Sequence, residues 1–413
     1  MRMLMRQHAL RGTLARLVYC ALLLGVAPSG RADDSAQADE AAARAAHSAE
    51  LVAAIEKAVG NCARVGGTTL VSDPSSIDNR NLDEQPKTLR IDYDRYPMDE
   101  IMQGHQAILI VSFMVDSLGN PRFVHVDRQI AADMKYNGFV PRVLEMFRTA
   151  KYSPGTKGGK PVAAWRRVKI KFIVNSEGRM GNILSDEKLD KYVKQAREGD
   201  MTSQIVVSYA DSVAHEEVGI PEGEQRHFLA VAAVAGERSA LLRVAQLLGY
   251  PSCKAPALAE EYIRRQAMSG KSDLELVQAT RLLARNDTEA YHDIGLMLHG
   301  AANSNDEFVQ LWAAGILATT PVDVLRNPAA ALATAQALKA GKDPDAGELL
   351  AAALAANGQY ADAVREETAA IAAANKLHWK DDLMQPRLAK YSAGQPWIGN
   401  LCDCNSVVPG GGL

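Results

Sequence analysis

The sequence predicts an α+β module followed by an all-α array of helical repeats. In the module, one helix packs on a three-stranded antiparallel sheet in the order β-β-α-β. Three observations predict this. Residues 166–174 (RRVKIKFIV) alternate strictly: Val168, Ile170, Phe172 and Val174 on one side, Arg167, Lys169 and Lys171 on the other, the period of a strand. Residues 107–115 (AILIVSFMV) form an apolar run that ends in the turn sequence DSLGN and is followed by RFVHVD, the pattern of a hairpin. From Asp186 almost to the end the chain is rich in Ala and Leu at helical spacing.

The chain opens with a processing signal. Arg2, Arg6, Arg11 and Arg16 form a basic region before residues 17–27 (LVYCALLLGVA), and Gly30-Arg31-Ala32 follows. The apolar run is well short of the roughly 20 residues a spanning helix needs. It therefore reads as a secretory signal peptide, residues 1–32, cut after Ala32. If it is not cut, it would hold the chain at a membrane. Residues 33–62 are rich in Ala, Glu and Lys and read as a helix. Residues 63–89 hold Gly, Ser, Asp, Asn and Pro and read as a linker.

The module occupies residues 90–175. Its first strand is residues 107–115 and its second is residues 122–127. Phe139, Val143 and Phe147, with Val140 and Leu144, mark one face of a helix, and Pro141 suits its first turn. Lys157-Gly158-Gly159-Lys160-Pro161 reads as a flexible loop. With the helix on the apolar side of the sheet, the Lys and Arg side of residues 166–174 is expected to face water. Charge is unevenly spread. The whole chain carries a formal charge of −3, yet residues 90–174 hold 14 Lys and Arg against 8 Asp and Glu. The remainder of the exported chain is acidic. Such asymmetry suits a partner or an internal contact. It is too mild for nucleic acid, and no aromatic–basic interleaving accompanies it.

Tyr96-Pro97, the run Phe113-Met114-Val115-Asp116-x-x-Gly119, Tyr152-x-Pro154-Gly155, Gly159-x-Pro161-Val162 and Val168-x-Ile170-x-Phe172 occur in this order. By these residues the module resembles the carboxy-terminal domain of TonB, the energy transducer of outer-membrane uptake. The resemblance covers about a fifth of the chain. It implies an interaction domain that takes up an extended partner peptide at a sheet edge, whose open N–H and C=O groups an added strand satisfies. Carried onto this sequence, the peptide-binding residues are Tyr96, Pro97, Arg167, Val168, Lys169, Ile170, Lys171 and Phe172. The cations have two readings. They protect an exposed edge against aggregation, or they attract an acidic peptide or the acidic repeats. The TonB pattern is not kept throughout: the Pro-rich spacer is missing, and more than 200 residues follow the module.

Residues 186–394 read as the helical array. Within residues 343–375, Leu349-Leu350-Ala351, Leu354, Asn357-Gly358, Tyr360, Ala363 and Ala370-Ile371 resemble a tetratricopeptide repeat, with small residues where two helices cross and Gly at the turn. Residues 327–344 read as the second helix of the preceding repeat. Such pairs stack into solenoids whose concave faces bind peptides or proteins. Residues 395–413 read as a loose tail. Cys62, Cys253, Cys402 and Cys404 are the candidate disulfide residues of an exported chain, and three pairings are open. Glu216-Glu217 and Asp381-Asp382 read as solvated helix charges.

No nucleophile elbow, zinc helix, phosphate loop or dinucleotide pattern occurs. Asp211, Ser212 and His215 sit within reach on one helix, but nothing nearby suggests an oxyanion hole, and a surface pair is expected. No catalysis, metal or cofactor is predicted. The expected function is that of an exported periplasmic protein that binds a partner peptide by strand addition, linked to TonB-dependent outer-membrane transport. The alternative is a structural envelope adaptor that self-associates, as a homodimer, through the same edge and binds partners on its repeats.

Overall fold

The computed structural model describes residues 31–65, 82–92, 98–133, 136–173, 178–181, 183–249, 253–338 and 343–401. The chain divides into two compact units, residues 1–49 and 50–413. Most of the expected signal peptide, residues 1–30, lies outside the described residues. Helix α1 (Arg31–Val65) contributes to both units.

Within the second unit, β2 (Ala107–Val115) is the middle strand of an antiparallel sheet, between β3 (Pro121–Ala131) and β7 (Ala164–Phe172). Helix α2 (Met98–Met102) precedes the sheet, and helix α3 (Phe139–Thr149) covers one face. Phe139, Val143, Met146 and Phe147 pack on Leu109, Val111, Phe113 and Phe172. The β-β-α-β module is thus present. Between α3 and β7 lie β4 (Lys151–Ser153), β5 (Gly155–Lys157) and β6 (Lys160–Val162). The segment expected as a flexible loop is the turn of the β5–β6 hairpin. Gly158 and Gly159 both have positive φ, 58° and 72°, which two consecutive glycines allow and a tight hairpin turn needs. Lys87–Arg90, at the seam of the expected linker and module, forms β1 and pairs with β4; residues 66–81 of that linker lie outside the described residues. At the β2–β3 turn, Asp116 accepts from the N–H groups of Leu118 at 2.9 Å and Asn120 at 2.8 Å. Gly119 has φ 89°, and a Cβ there would lie 2.4 Å from the Tyr152 carbonyl oxygen, so only glycine fits.

The helices that follow are α4 (Asp186–Arg197), α5 (Met201–Val218), α6 (Glu222–Val234), α7 (Arg238–Leu248), α8 (Ala257–Ala267), α9 (Ser272–Ala284), α10 (Tyr291–Ala302), α11 (Glu307–Thr319), α12 (Pro328–Ala337), α13 (Pro344–Ala356), α14 (Tyr360–Lys376) and α15 (Gln385–Ser392). They form the helical solenoid. Capping residues start several: Asp200, Glu237, Asp306, Asn327 and Asp343 each accept from first-turn N–H groups. Alanines dominate the interior, so helices approach closely. At the α13–α14 crossing a Cβ on Gly347 would lie 2.8 Å from the Ala370 Cβ. The carboxy-terminal half of α1 joins this core through Ile55, Ala58, Val59 and Cys62, and a disulfide links Cys62 to Cys253. Cys402 and Cys404 lie outside the described residues. The tail is not loose over 395–401: Gly399 N–H donates to the Thr319 carbonyl at 2.8 Å, and Leu401 packs on the helical core.

The array covers the second face of the sheet, which the sequence placed in water. Side chains of β2 alternate between two interiors. Ala107, Leu109, Val111, Phe113 and Val115 face α3. Ile108 and Ile110 meet Leu189, Val193, Val207, Ala210 and Phe228 of α4–α6, and Met114 joins a cluster with Trp165, Phe308 and Trp312. A strand buried on both faces reads as a continuous apolar run rather than an alternating one.

Candidate functional site

The sheet has two edges, and the array treats them differently. The edge formed by β3 is occupied. Tyr209 donates its hydroxyl to the Gln129 carbonyl at 2.8 Å, and the Phe123 N–H donates to Asp345 Oδ2 at 2.7 Å. Beyond β7, no further strand pairs with the outer edge among the described residues. There Arg166 reaches sideways to the Pro86 carbonyl at 2.8 Å. In an antiparallel strand alternate residues direct both backbone groups toward the neighbour and away from it. Half of the β7 residues therefore present N–H and C=O on this open side.

The residues named for peptide binding fall in three groups. Tyr96 and Pro97 lie outside the described residues. Val168, Ile170 and Phe172 face α3, the first two half-buried, and Phe172 stacks on Phe139 with ring centroids 4.6 Å apart. Arg167, Lys169 and Lys171 face the array. Arg167 is buried and pairs with Asp127 at 2.8 Å. Burial alone would raise the Asp127 carboxyl, but Arg167, with Arg128, holds it well below the usual carboxylate range. Lys169 lies 2.8 Å from Glu216 and 3.4 Å from Glu217 of α5, and Lys171 also pairs with Glu217. Its hydrogen bond and charge make Lys169 the main cause of a lowered Glu216 pKa. The basic face thus meets an acidic helix of the same chain. This corrects two expectations: Arg167 and Lys169 on this face are withdrawn from solvent while Lys171 keeps an exposed side, and Glu217, only 6% exposed, is not a solvated charge.

A second junction was not legible in the sequence. Arg122 of β3 is buried between Asp345 and Glu348 of α13, and Arg387 of α15 lies on the other Glu348 oxygen. Glu367 of α14 is fully buried, 3.4 Å from Arg387 Nε. Burial pushes the Glu367 carboxyl up to about 8, partly offset by Arg122. Burial also brings the Arg387 guanidinium down to about 10, Arg122 adding to the effect. Asn120 exchanges hydrogen bonds of 2.9 Å with the backbone of Lys380, and Trp379 donates to the Arg148 carbonyl at 2.9 Å. Next to Arg122, the bulged residue Phe123 has a positive φ of 56° and turns its ring onto Trp312, centroids 4.9 Å apart. The one available signal was the placement of Trp312, one of four tryptophans, in the largely aliphatic helix α11.

The Asp211–Ser212–His215 group does not assemble a nucleophile. His215 Nδ1 lies 2.8 Å from Asp211, while the Ser212 hydroxyl donates to the Tyr209 carbonyl at 2.7 Å. Burial pushes Asp211 up to about 6 against the opposing effect of His215. No cluster of three metal-ligating side chains occurs among the described residues, and no described helix is long and apolar enough to cross a membrane.

No curated protein and no solved structure matches the chain. Residues 92–174 match the family model of the Gram-negative bacterial TonB protein C-terminal. The matched span runs from the residues after β1 to just past β7, the sheet and α3 together. The chain therefore carries a TonB C-terminal-like domain, a non-enzymatic protein-interaction domain of envelope proteins, followed by a helical solenoid.

Proposed function

We propose that this is an exported, periplasmic protein that recognises a partner peptide by strand addition along the outer edge of β7, in connection with TonB-dependent transport across the outer membrane. The observation that carries the reading is the asymmetry of the sheet. Neither outer edge pairs with a further described strand, but the array already hydrogen-bonds the β3 edge through Tyr209 and Asp345 and ties the basic face through α5, which leaves the β7 edge for a partner. Main-chain hydrogen bonds would supply the affinity, and the half-buried Val168 and Ile170 a shallow apolar border. Lys169 and Lys171 act on this reading as internal ties to α5, leaving recognition to the backbone. The array is the brace that fixes β7 in place.

Hydrogen exchange on the purified exported chain tests this, with and without a peptide from the periplasmic segment of an outer-membrane receptor. Alternate amides of β7 are expected to gain protection. Of Lys169→Pro and Ile170→Pro, one removes an N–H bonded to β2 and the other an outward one. The variant that keeps its circular dichroism should lose peptide binding. Unchanged β7 exchange with bound peptide would refute the proposal. Protection of the same amides that grows with protein concentration, without peptide, would favour the self-associating adaptor.

A further inference from the structure

A cavity of about 360 Å³ lies where β3 meets α5, α7, α9 and α11. It sits on the face of the sheet opposite α3, away from the open β7 edge. Its size is near the lower end of the range of small-molecule sites, about 300–1,000 Å³. That suits one or two amino-acid residues and is too small for a folded partner. Leu242, Leu276, Val277 and Phe308 supply an apolar wall.

The polar lining is unequal. Its carboxylates are engaged. Glu237 accepts from the N–H groups of Ser239 and Ala240, Asp306 from those of Phe308 and Val309, and Asp273 from Arg238 and the Leu274 N–H. Asp127 is paired with Arg167. Arg128 is different. It is 9% exposed, and its Nη2 meets no hydrogen-bond acceptor. Gln246, 5% exposed on the same lining, has an Oε1 with no donor. Arg128 feels the charge of Asp127 and Glu237, but a buried guanidinium nitrogen without an acceptor is a costly arrangement that an anion entering the cavity would relieve. Glu237, Asp273 and Asp306 disfavour a polyanion such as a phosphate. They tolerate a single carboxylate, and they favour one that brings its own ammonium group.

We propose that this cavity binds a free α-carboxylate beside an apolar side chain, supplied by an apolar amino acid or dipeptide or by the carboxyl end of a peptide. The carboxylate pairs with Arg128, an N–H donates to Gln246 Oε1, and the apolar side chain lies on Leu276, Val277 and Phe308. The site is independent of strand addition at β7, so either can fail without the other.

Calorimetric titration of the full exported chain with Leu-Leu, leucine, Leu-Leu amide, inorganic phosphate and a twelve-residue peptide ending in Leu-Leu tests the proposal. Leu-Leu or leucine should bind, and the amide and phosphate should not. Arg128→Gln should weaken binding roughly ten- to hundred-fold, the range expected for one charge-assisted contact, while leaving the thermal midpoint of the unliganded protein unchanged or higher. Leu242→Trp narrows the cavity without touching Arg128 and should also abolish binding. Binding of the long peptide would identify a protein terminus as a source; its exclusion would identify a free small ligand. Equal binding of acid and amide, or no binding of leucine, Leu-Leu or the long peptide at millimolar concentration, would overturn the proposal. The acid–amide comparison uses the unmutated chain, so it decides even if a variant does not fold.

Discussion

Phe123 allows the docking of sheet and array to be tested by the sign and size of two substitutions. Its ring is 7% exposed and lies between Trp312 and the Arg122 guanidinium, 5.2 Å from the ring centre. Replacing such a ring by Ala costs about 3–5 kcal/mol. The backbone at this bulge has φ 56°, and a left-handed conformation costs a residue with a Cβ about 1–2 kcal/mol. Phe123→Ala keeps that strain and Phe123→Gly releases it. At an unstrained strand position Gly would lie below Ala by roughly 0.5–1 kcal/mol of backbone entropy and about 0.8 kcal/mol for the lost methyl, or about 1.5 kcal/mol together. Here the strain offsets that difference. Phe123→Gly should therefore match Phe123→Ala to within about 0.5 kcal/mol, both far below the parent. Urea unfolding followed by tryptophan fluorescence reads it, since Trp165 and Trp312 stand in the same cluster. A Gly variant about 1.5 kcal/mol below the Ala variant would refute the strained bulge.

Three further outcomes are expected. Gly347→Ala would gain about 1 kcal/mol of helix propensity in an open helix. With the Ala370 Cβ only 2.8 Å from the new methyl, overpacking of about 1–3 kcal/mol should make it destabilising, and adding Ala370→Gly should restore stability in the double variant. Glu367 has its carboxyl raised from 4.5 to about 8 in the folded chain. Its contribution to stability is full below pH 4.5 and is lost as pH rises through 8. Glu367→Gln should flatten this fall and stabilise the protein at pH 8, which thermal midpoints across the range will show. The Cys62–Cys253 disulfide spans 191 residues, a loop whose closure is worth roughly 5 kcal/mol in the chain-entropy model. Reduction, or Cys62→Ala with Cys253→Ala, should lower the thermal midpoint and speed hydrogen exchange in the second half of α1.

The module was legible because its elements state their own neighbours. Residues 107–115 form β2 with the bounds read from the run AILIVSFMV, and the face Phe139–Val143–Phe147 sits on the sheet through α3. The α13–α14 pair was equally readable from its small crossing residues and the turn at Gly358. Docking was not legible, because its determinants lie far apart in the chain and each has a bland local explanation. Asp345 looks like part of a helix start, Glu217 like a surface charge, and Arg122 like the first residue of a hairpin strand. Arg122 and Asp345 meet across 223 positions, and no periodicity spans that distance.

The composition of β2 nevertheless points to a second cover. A strand that is half-exposed alternates apolar and polar residues, whereas residues 107–115 hold only Ser112 as a polar member. Such a strand has two buried faces, and a single helix supplies cover for one. The second cover had to come from elsewhere in the chain. The uneven charge says where: a basic β7 face required an acidic surface if it was to be covered at all, and α5 carries Glu216 and Glu217. The same reasoning constrains function. Once the array takes the basic face and the β3 edge, Arg167 and Lys169 are held inside the chain, and Lys171, though tied to Glu217, keeps an exposed side. On the strand-addition reading proposed above, β7 would offer its outer line of backbone donors and acceptors, bordered by Val168 and Ile170, with Lys171 as the cation nearest solvent.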